Sequence, residues 1–406
     1  MTVRMQFWDE PQRAFVISRL FMLVITLPVI AIAAGKHGFP FAPNLVSREV
    51  LLHNNPLDWL GYLFAWWRWD NVFYVMIAAH GYSRVSLTVF FPIWPLVIWV
   101  PGRLLAFIVP GEIPYYLAGI LLSNLFFLGS LQLLYVLTKQ MFDAAIAKTA
   151  IWLLAFFPYT IFFSAGYTES LFLFFCLAAC YLLQRGLKRD WWLASLCGGI
   201  AAATRETGAV IAIVFVVAFM QRYWPFSQRF RTNPWRFLNA LCSLILLPLG
   251  VLLYMYYLYQ TRGNPLLFLH AAIAWDRSPA IPFSALFLAF KDLLFFAVPL
   301  DSLYNNLLDL AFTLLPLYLL IKYWRCLPLA YSLFSLALLL YSLSTVVSTP
   351  NPLMSIPRYL MVIFPCIMLF ALEWKHKRRI HKFIYVCFPL SLAANVTLFV
   401  IGRWVA

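Results

Sequence analysis

Apolar runs of membrane-spanning length follow one another through this chain, separated by short basic clusters, and that pattern decides most of what it can fold into. The first, Phe15 to Ala34, is about 20 residues long, enough for a helix to cross a hydrocarbon core. Arg4, Arg13 and Arg19 lie before or early within it, which places the N-terminus on the cytoplasmic side. Further runs cover Tyr115 to Thr138, Thr149 to Phe163, Thr168 to Gln184 and Trp191 to Met220. The second half adds Phe237 to Tyr259, Leu307 to Ile321, Pro328 to Val347, Tyr359 to Phe370 with its flanks, and Phe383 to Ile401. Of 406 residues, 64% are hydrophobic and 11% charged, a balance that excludes a soluble globular domain. The net charge of +15 does not indicate nucleic acid, because the basic residues sit in loops between apolar runs.

Two ambiguous runs set the topology. Phe90 to Val109 is apolar but interrupted by Pro92, Pro95, Pro101 and Gly102, and it carries Arg103. A surface or re-entrant path suits it, since non-helical backbone at depth needs protein or water around it. The run after Trp191 has Arg205, Glu206 and Gly208 at its centre and reads as a hairpin folded at Thr204 to Gly208. With these choices the clusters at Lys139 and Lys148, Arg185 to Arg189, Arg222 to Arg236, Lys322 and Arg325, and Lys375 to Lys382 all fall on the cytoplasmic side. The expectation is an all-α polytopic membrane protein, residues 1–406 forming one domain of eleven spans. A large first outer loop covers 36–114 and a second covers 260–306.

That topology gathers charge on the outer side: Asp70, His80, Arg84, Glu169, Arg205, Glu206, His270, Asp276, Arg277 and Arg358. Ionisable groups facing one side of so apolar a chain suggest a polar reaction chamber. Asp70 leads a helix that Gly81 is placed to stop, with Phe73, Met76, Ile77 and His80 on one stripe. It is either a cap for that helix or a reactive carboxylate among indoles. Glu169 has the same two readings, as a first-turn acid or as part of a site. Arg205 and Glu206 form a loop pair, or Arg205 holds an anion such as a lipid phosphate. His80 is an interfacial histidine or a substrate contact. Asp276 and Arg277 read as a turn before Pro279, and Arg358 as an interface anchor or a phosphate ligand. The seven cysteines read as buried thiols, and the acids lack close ligand spacing, so neither metal nor cofactor is expected.

One carboxylate among aromatic rings with guanidinium groups nearby suits glycosyl transfer from a lipid phosphate, in which a base deprotonates an acceptor hydroxyl and cations stabilise the departing phosphate. A transporter is the alternative class, but the paired helix breaks of repeated halves are not visible.

WDNVFYVMIAAHGY followed by FFPIWPL resembles the signature of the PIG-V-like mannosyltransferases. FFPYTIFFSAGYTESLF, AAATRETG and IPRYLMVIFP resemble three later motifs of that family, in the same order. The resemblance implies a GT-C fold and a polyprenyl or dolichyl phosphate mannose donor used at the outer or lumenal face, with a glycolipid acceptor. It implies Asp70 as the base, and Tyr167, Glu169, Arg205, Arg358 and Tyr359 as donor phosphate or sugar contacts. Trp69, His80 and Tyr82 are further candidate substrate contacts. Phe73 stands where eukaryotic members have His, and Pro158 lies in Phe-Pro-Tyr-Thr where those have Asn-Pro-Ala-Ser. With the short chain, this favours an inner or plasma membrane of a prokaryote over the endoplasmic reticulum.

Overall fold

The computed structural model describes residues 9–34, 63–187, 189–275, 277–295, 300–347, 351–376 and 378–405. The first part of the expected first outer loop, residues 36–62, and Asp276 therefore lie outside the described residues.

Helix α1, Glu10–Ala34, matches the first apolar run. Next come α2 (Asp70–His80), α3 (Ile93–Leu105) and the long α4 (Ile113–Met141). They are followed by α5 (Ala144–Ala155), α6 (Glu169–Arg185), α7 (Asp190–Ala202) and α8 (Ala212–Tyr223). A basic, aromatic hairpin of α9 (Phe226–Thr232) and α10 (Pro234–Ser243) leads into α11 (Leu246–Arg262) and α12 (Leu267–Ala271). Strand β1 (Arg277–Pro279), α13 (Ser284–Leu294), α14 (Leu300–Tyr323), α15 (Leu329–Ser342) and strand β2 (Thr345–Val347) carry the chain on. The last three helices are α16 (Ile356–Leu360), α17 (Phe364–His376) and α18 (Arg378–Val400).

Among the described residues five helical stretches are long and apolar enough to cross a membrane: Glu10–Ile32, Ile113–Met141, Glu206–Tyr223, Pro234–Arg262 and Leu303–Cys326. At four of the other expected spans the α-helix stops short, for a local reason each time. The run from Thr149 to Phe163 stops being α-helical at Ala155, because Pro158 cannot donate and the chain turns into a short 3-10 helix, Thr160–Phe163. The run from Trp191 breaks where expected, at Ala203 to Arg205, and resumes through a 3-10 helix, Glu206–Ile211. There a Cβ on Gly208 would sit 2.2 Å from the Ala201 carbonyl oxygen, so only glycine allows the two segments to close up. The run from Pro328 ends as a helix at Ser342 and becomes β2. That from Tyr359 is divided between α16 and α17.

Strand β2 pairs antiparallel with β1, Arg277 opposite Val347 and Pro279 opposite Thr345. Arg277 is thus on a strand rather than in the turn expected from its Pro279, because Thr345 to Val347 offers it an edge. The proline-broken run forms the 13-residue α3, too short for a span, with Trp94 and Ile98 fully buried against the head of α4.

The breaks share a destination. Residues 156–168, 203–211 and 351–363 lie between α5 and α6, α7 and α8, and α15 and α17, and all three reach one cavity at a single end of the bundle. Ion pairs mark the other end of the same helices: Arg185 with Asp190 at 2.6 Å, Lys375 with Asp143 at 2.6 Å, Lys322 with Glu373 at 2.6 Å and Lys148 with Glu10 at 2.8 Å.

Candidate active site

Asp70 opens α2, but it does not cap it. The cap position falls on Trp69, which makes no side-chain cap bond and takes a left-handed backbone, φ 57°. A tryptophan at positive φ stores strain of about 1–3 kcal/mol, the kind of cost that clusters at functional sites. Ser355, just before α16, does the same at φ 69°, and both line the cavity.

With the amides of α2 left to themselves, the Asp70 carboxylate turns to Arg358, whose Nη1 donates to Oδ2 at 2.7 Å. Glu169, in the first turn of α6 and 1% exposed, likewise makes no cap bond. Its Oε1 lies 3.2 Å from Arg358 Nε and 3.6 Å from Arg205 Nη1, close enough for ion pairing but without an aligned hydrogen bond. The guanidinium of Arg358 therefore fills the gap between the two carboxylates. Phe162, Tyr167, Tyr359 and Trp404 surround it with ring centroids 5.1–5.7 Å away. Burial opposes its charge, and Asp70, Tyr359 and Glu169 outweigh that, so Arg358 is held protonated more firmly than an ordinary arginine.

The backbone around Asp70 is clamped to the turn before Glu169. Asn71 Nδ2 donates to the Ala165 carbonyl at 2.6 Å, Trp94 Nε1 to that of Gly166 at 2.8 Å, and the Tyr167 hydroxyl to that of Arg68 at 3.2 Å. Gly166 sits at φ 76°, and a Cβ there would lie 2.7 Å from Asn71 Nδ2. The buried residues of α2 are Asn71, Val72, Tyr74, Val75, Ile77 and Ala78, so of the stripe of Phe73, Met76, Ile77 and His80 that the apolar pattern suggests, only Ile77 is buried. A polar residue, Asn71, anchors the helix, and an apolar periodicity does not register it.

The cavity these elements enclose has a volume of about 330 Å³. Trp69, Asp70, Arg205, Arg358 and Tyr359 line it, as do Phe73, Tyr74, Phe90, Thr168 and Glu206. Tyr167 and Glu169 lie behind this wall, supporting Arg358. His80 and Tyr82 lie elsewhere. His80 is at the far end of α2 with Nε2 2.9 Å from Glu112 Oε1, and Tyr82 donates to the Phe90 carbonyl at 2.6 Å beside a second, apolar cavity. Arg277, which the sequence gathers on the outer side but reads as a turn residue, lines the first cavity, as do Trp275, Met354 and Trp404, which it does not single out. An arginine in an outer loop, against the charge rule, was the available signal for Arg277. Trp404 carries no local signal at all, since only the packing of α18 brings it to Trp69, at 5.1 Å between rings. Among the described residues no three His, Cys, Asp or Glu side chains gather as metal ligands.

Fold and site together define a multi-pass helical membrane protein with an aromatic, acid–arginine cavity at one end of its bundle. Residues 10–267 match the family model described as Mannosyltransferase (PIG-V), and the chain belongs to that family. It is 31% identical over 153 residues to GPI mannosyltransferase 2 of Cryptococcus neoformans, covering 37% of this chain and 36% of that protein. It is 27% identical over 267 residues to GPI alpha-1,6-mannosyltransferase 2 of Cricetulus griseus, covering 62% and 51%. The matches thus span between about a third and just over half of the length of these curated relatives. These relatives come from fungi and animals and lend the prokaryotic placement no support. Among solved structures, the oligosaccharyltransferase of Archaeoglobus fulgidus aligns at TM-score 0.45 and 12% identity, over 100% of this chain and 57% of that one, a likeness too slight to carry an assignment.

Proposed function

We propose that the protein is an inverting GT-C-type mannosyltransferase. It moves mannose from a lipid-phosphate-mannose donor to a hydroxyl of a glycolipid acceptor at the outer or lumenal face of its membrane. The observation that supports this most directly is the Asp70 carboxylate, which lines an aromatic cavity while bonded at 2.7 Å to a buried arginine. Asp70 is the base: it takes the proton of the acceptor hydroxyl as the new bond to the anomeric carbon forms. The bond between that carbon and the phosphate oxygen breaks, and the lipid phosphate leaves with the electron pair, its charge met by arginines at the cavity. Trp69 and Tyr359 offer ring faces to the sugar and the apolar stem. Glu169 and Tyr167 hold Arg358, and through it the orientation of Asp70. The chemistry asks nothing of a metal, because guanidinium groups already supply the positive charge. The names of the relatives favour a glycolipid acceptor of the GPI kind.

The test is transfer of radiolabelled mannose from polyprenyl phosphate mannose to a lipid extract by purified protein in detergent, for wild type and Asp70→Asn. Transfer by wild type and loss of at least about a thousandfold in Asp70→Asn is the expected result. Near-normal turnover by the variant removes Asp70 as base. Failure of wild type with every lipid-linked sugar returns the transporter class to the front, with lipid flipping in liposomes as its assay.

A further inference from the structure

Three guanidinium groups converge on the ring of Tyr359: Arg205 at 4.7 Å, Arg277 at 4.8 Å and Arg358 at 5.1 Å from its centroid. They differ in how many of their N–H donors are already engaged. Arg358 gives Nη1 to Asp70 and Nη2 to the Tyr359 hydroxyl, and its Nε faces Glu169. Arg205 leans on Glu169 through Nη1. Arg277 makes no ion pair within 4.0 Å among the described residues and no hydrogen bond through its side chain. Glu206, which lines the same cavity, is not within that distance of any cation among the described residues either. A guanidinium stacked on a ring face keeps its five N–H donors in its own plane, free for a bidentate partner.

The backbone that carries Arg277 is nevertheless fixed. On one side it pairs with Val347 across β1 and β2, and the Ala280 amide donates to the Ser344 carbonyl at 2.8 Å. On the other, the Trp275 indole donates to the Ser86 carbonyl at 3.0 Å and packs edge-on against Phe73 and Phe90. A cation positioned from both flanks, with unused donors and a place in the cavity wall, is preorganised for a planar or tetrahedral oxyanion.

Resting on the mannosyl-transfer reading, we infer that Arg277 is the residue that grips the phosphate of the lipid-linked donor and of the lipid phosphate product. Arg358 serves to hold Asp70. The outer strand pair of β1 and β2 is then part of the donor site, delivering, of the three arginines around Tyr359, the one that no carboxylate among the described residues answers within 4.0 Å.

The experiment measures binding of a short-chain polyprenyl phosphate to purified protein in detergent, together with KM for donor and acceptor, in wild type, Arg277→Gln and Arg277→Lys. Arg84→Gln, an exposed arginine away from the cavity, is the control. Arg277→Gln is expected to weaken polyprenyl phosphate binding about tenfold or more and to raise donor KM likewise, with acceptor KM and thermal stability unchanged. Arg277→Lys recovers part of the loss by restoring charge without the planar fork, a rescue that a role confined to the strand backbone would not give. Binding by Arg277→Gln equal to wild type overturns the inference and leaves mannosyl transfer standing. A rise in acceptor KM alone also overturns it, assigning the residue to a phosphate on the acceptor. Absence of lipid phosphate binding to wild type overturns the transfer reading and this inference with it.

Discussion

Arg358 shows how one side chain sets the chemistry of its neighbours. Its guanidinium lies between two carboxylates that no other cation among the described residues reaches as closely, Asp70 at 2.7 Å and Glu169 at 3.2 Å. Removing it leaves both acids facing each other in an aromatic enclosure, and breaking a buried pair from one side costs about 3–5 kcal/mol. Arg358→Ala is therefore expected to lower the melting temperature in detergent markedly as well as abolish transfer, while Asp70→Asn, which keeps a hydrogen-bond acceptor for Nη1, leaves melting near wild type. Equal melting of the two variants would show that Arg358 is not the charge that holds the site together. At this scale much is legible from the sequence: Asp70, Glu169, Arg205 and Arg358 are ionisable residues that the charge pattern gathers on one side of an apolar chain, and the structure brings them within one cluster. What the chain does not advertise is the division of labour among the arginines, since it depends on which donors are already engaged.

The elements teach a different lesson. Hydropathy located almost every helix, yet it misjudged where several stop. A mean over twenty residues does not register a proline at 158, a strand edge offered at 345–347 or a five-residue helix at 356–360. The irregular stretch from Phe156 to Thr168 needs support where its backbone leaves the helix, and part of that comes from α14 and α18. Asp309 of α14, 1% exposed, accepts from the Tyr159 hydroxyl at 2.7 Å, and Asn395 of α18 donates to the Pro158 carbonyl at 3.0 Å. The second oxygen of Asp309 has no partner among the described residues, so Tyr159 is what makes its burial tolerable. Tyr159→Phe is expected to cost about 1–3 kcal/mol of stability, read as a drop in thermal midpoint, and to be repaired by adding Asp309→Asn or Asp309→Leu. Independent, additive effects of the two substitutions would contradict that coupling.

The whole molecule has two unlike ends. Helix α6 begins at Glu169, behind the cavity wall, and finishes at Arg185, paired with Asp190; α17 begins near Arg358 and runs to Lys375, paired with Asp143. The end away from the cavity is the one whose basic clusters were read as cytoplasmic. Asp143 caps α5 by accepting from the Ile146 amide at 2.8 Å, and its carboxyl is held below the usual range by Lys375 first and that amide second. Because the folded value lies below the unfolded one of about 3.9, this contribution is complete above the unfolded value and is lost as pH falls through the folded one. The melting midpoint should decline less steeply below about pH 4 in Asp143→Asn than in wild type, starting from a lower value at neutral pH. Identical slopes would mean that Asp143 adds nothing to the acid limit.

The bond between Arg358 and Asp70 joins residues 288 positions apart, and Trp404 closes the same wall still later. During synthesis at about 5–20 residues per second, roughly 15–60 s separate the emergence of the carboxylate from that of its counter-ion. For that interval Asp70 has only water or lipid headgroups to answer its charge, and the nascent chain holds an unfinished chamber. On the mannosyl-transfer reading, the site is complete only once α18 has been threaded into the bilayer and Trp404 has reached Trp69, so insertion of α18 doubles as the step that switches the protein on.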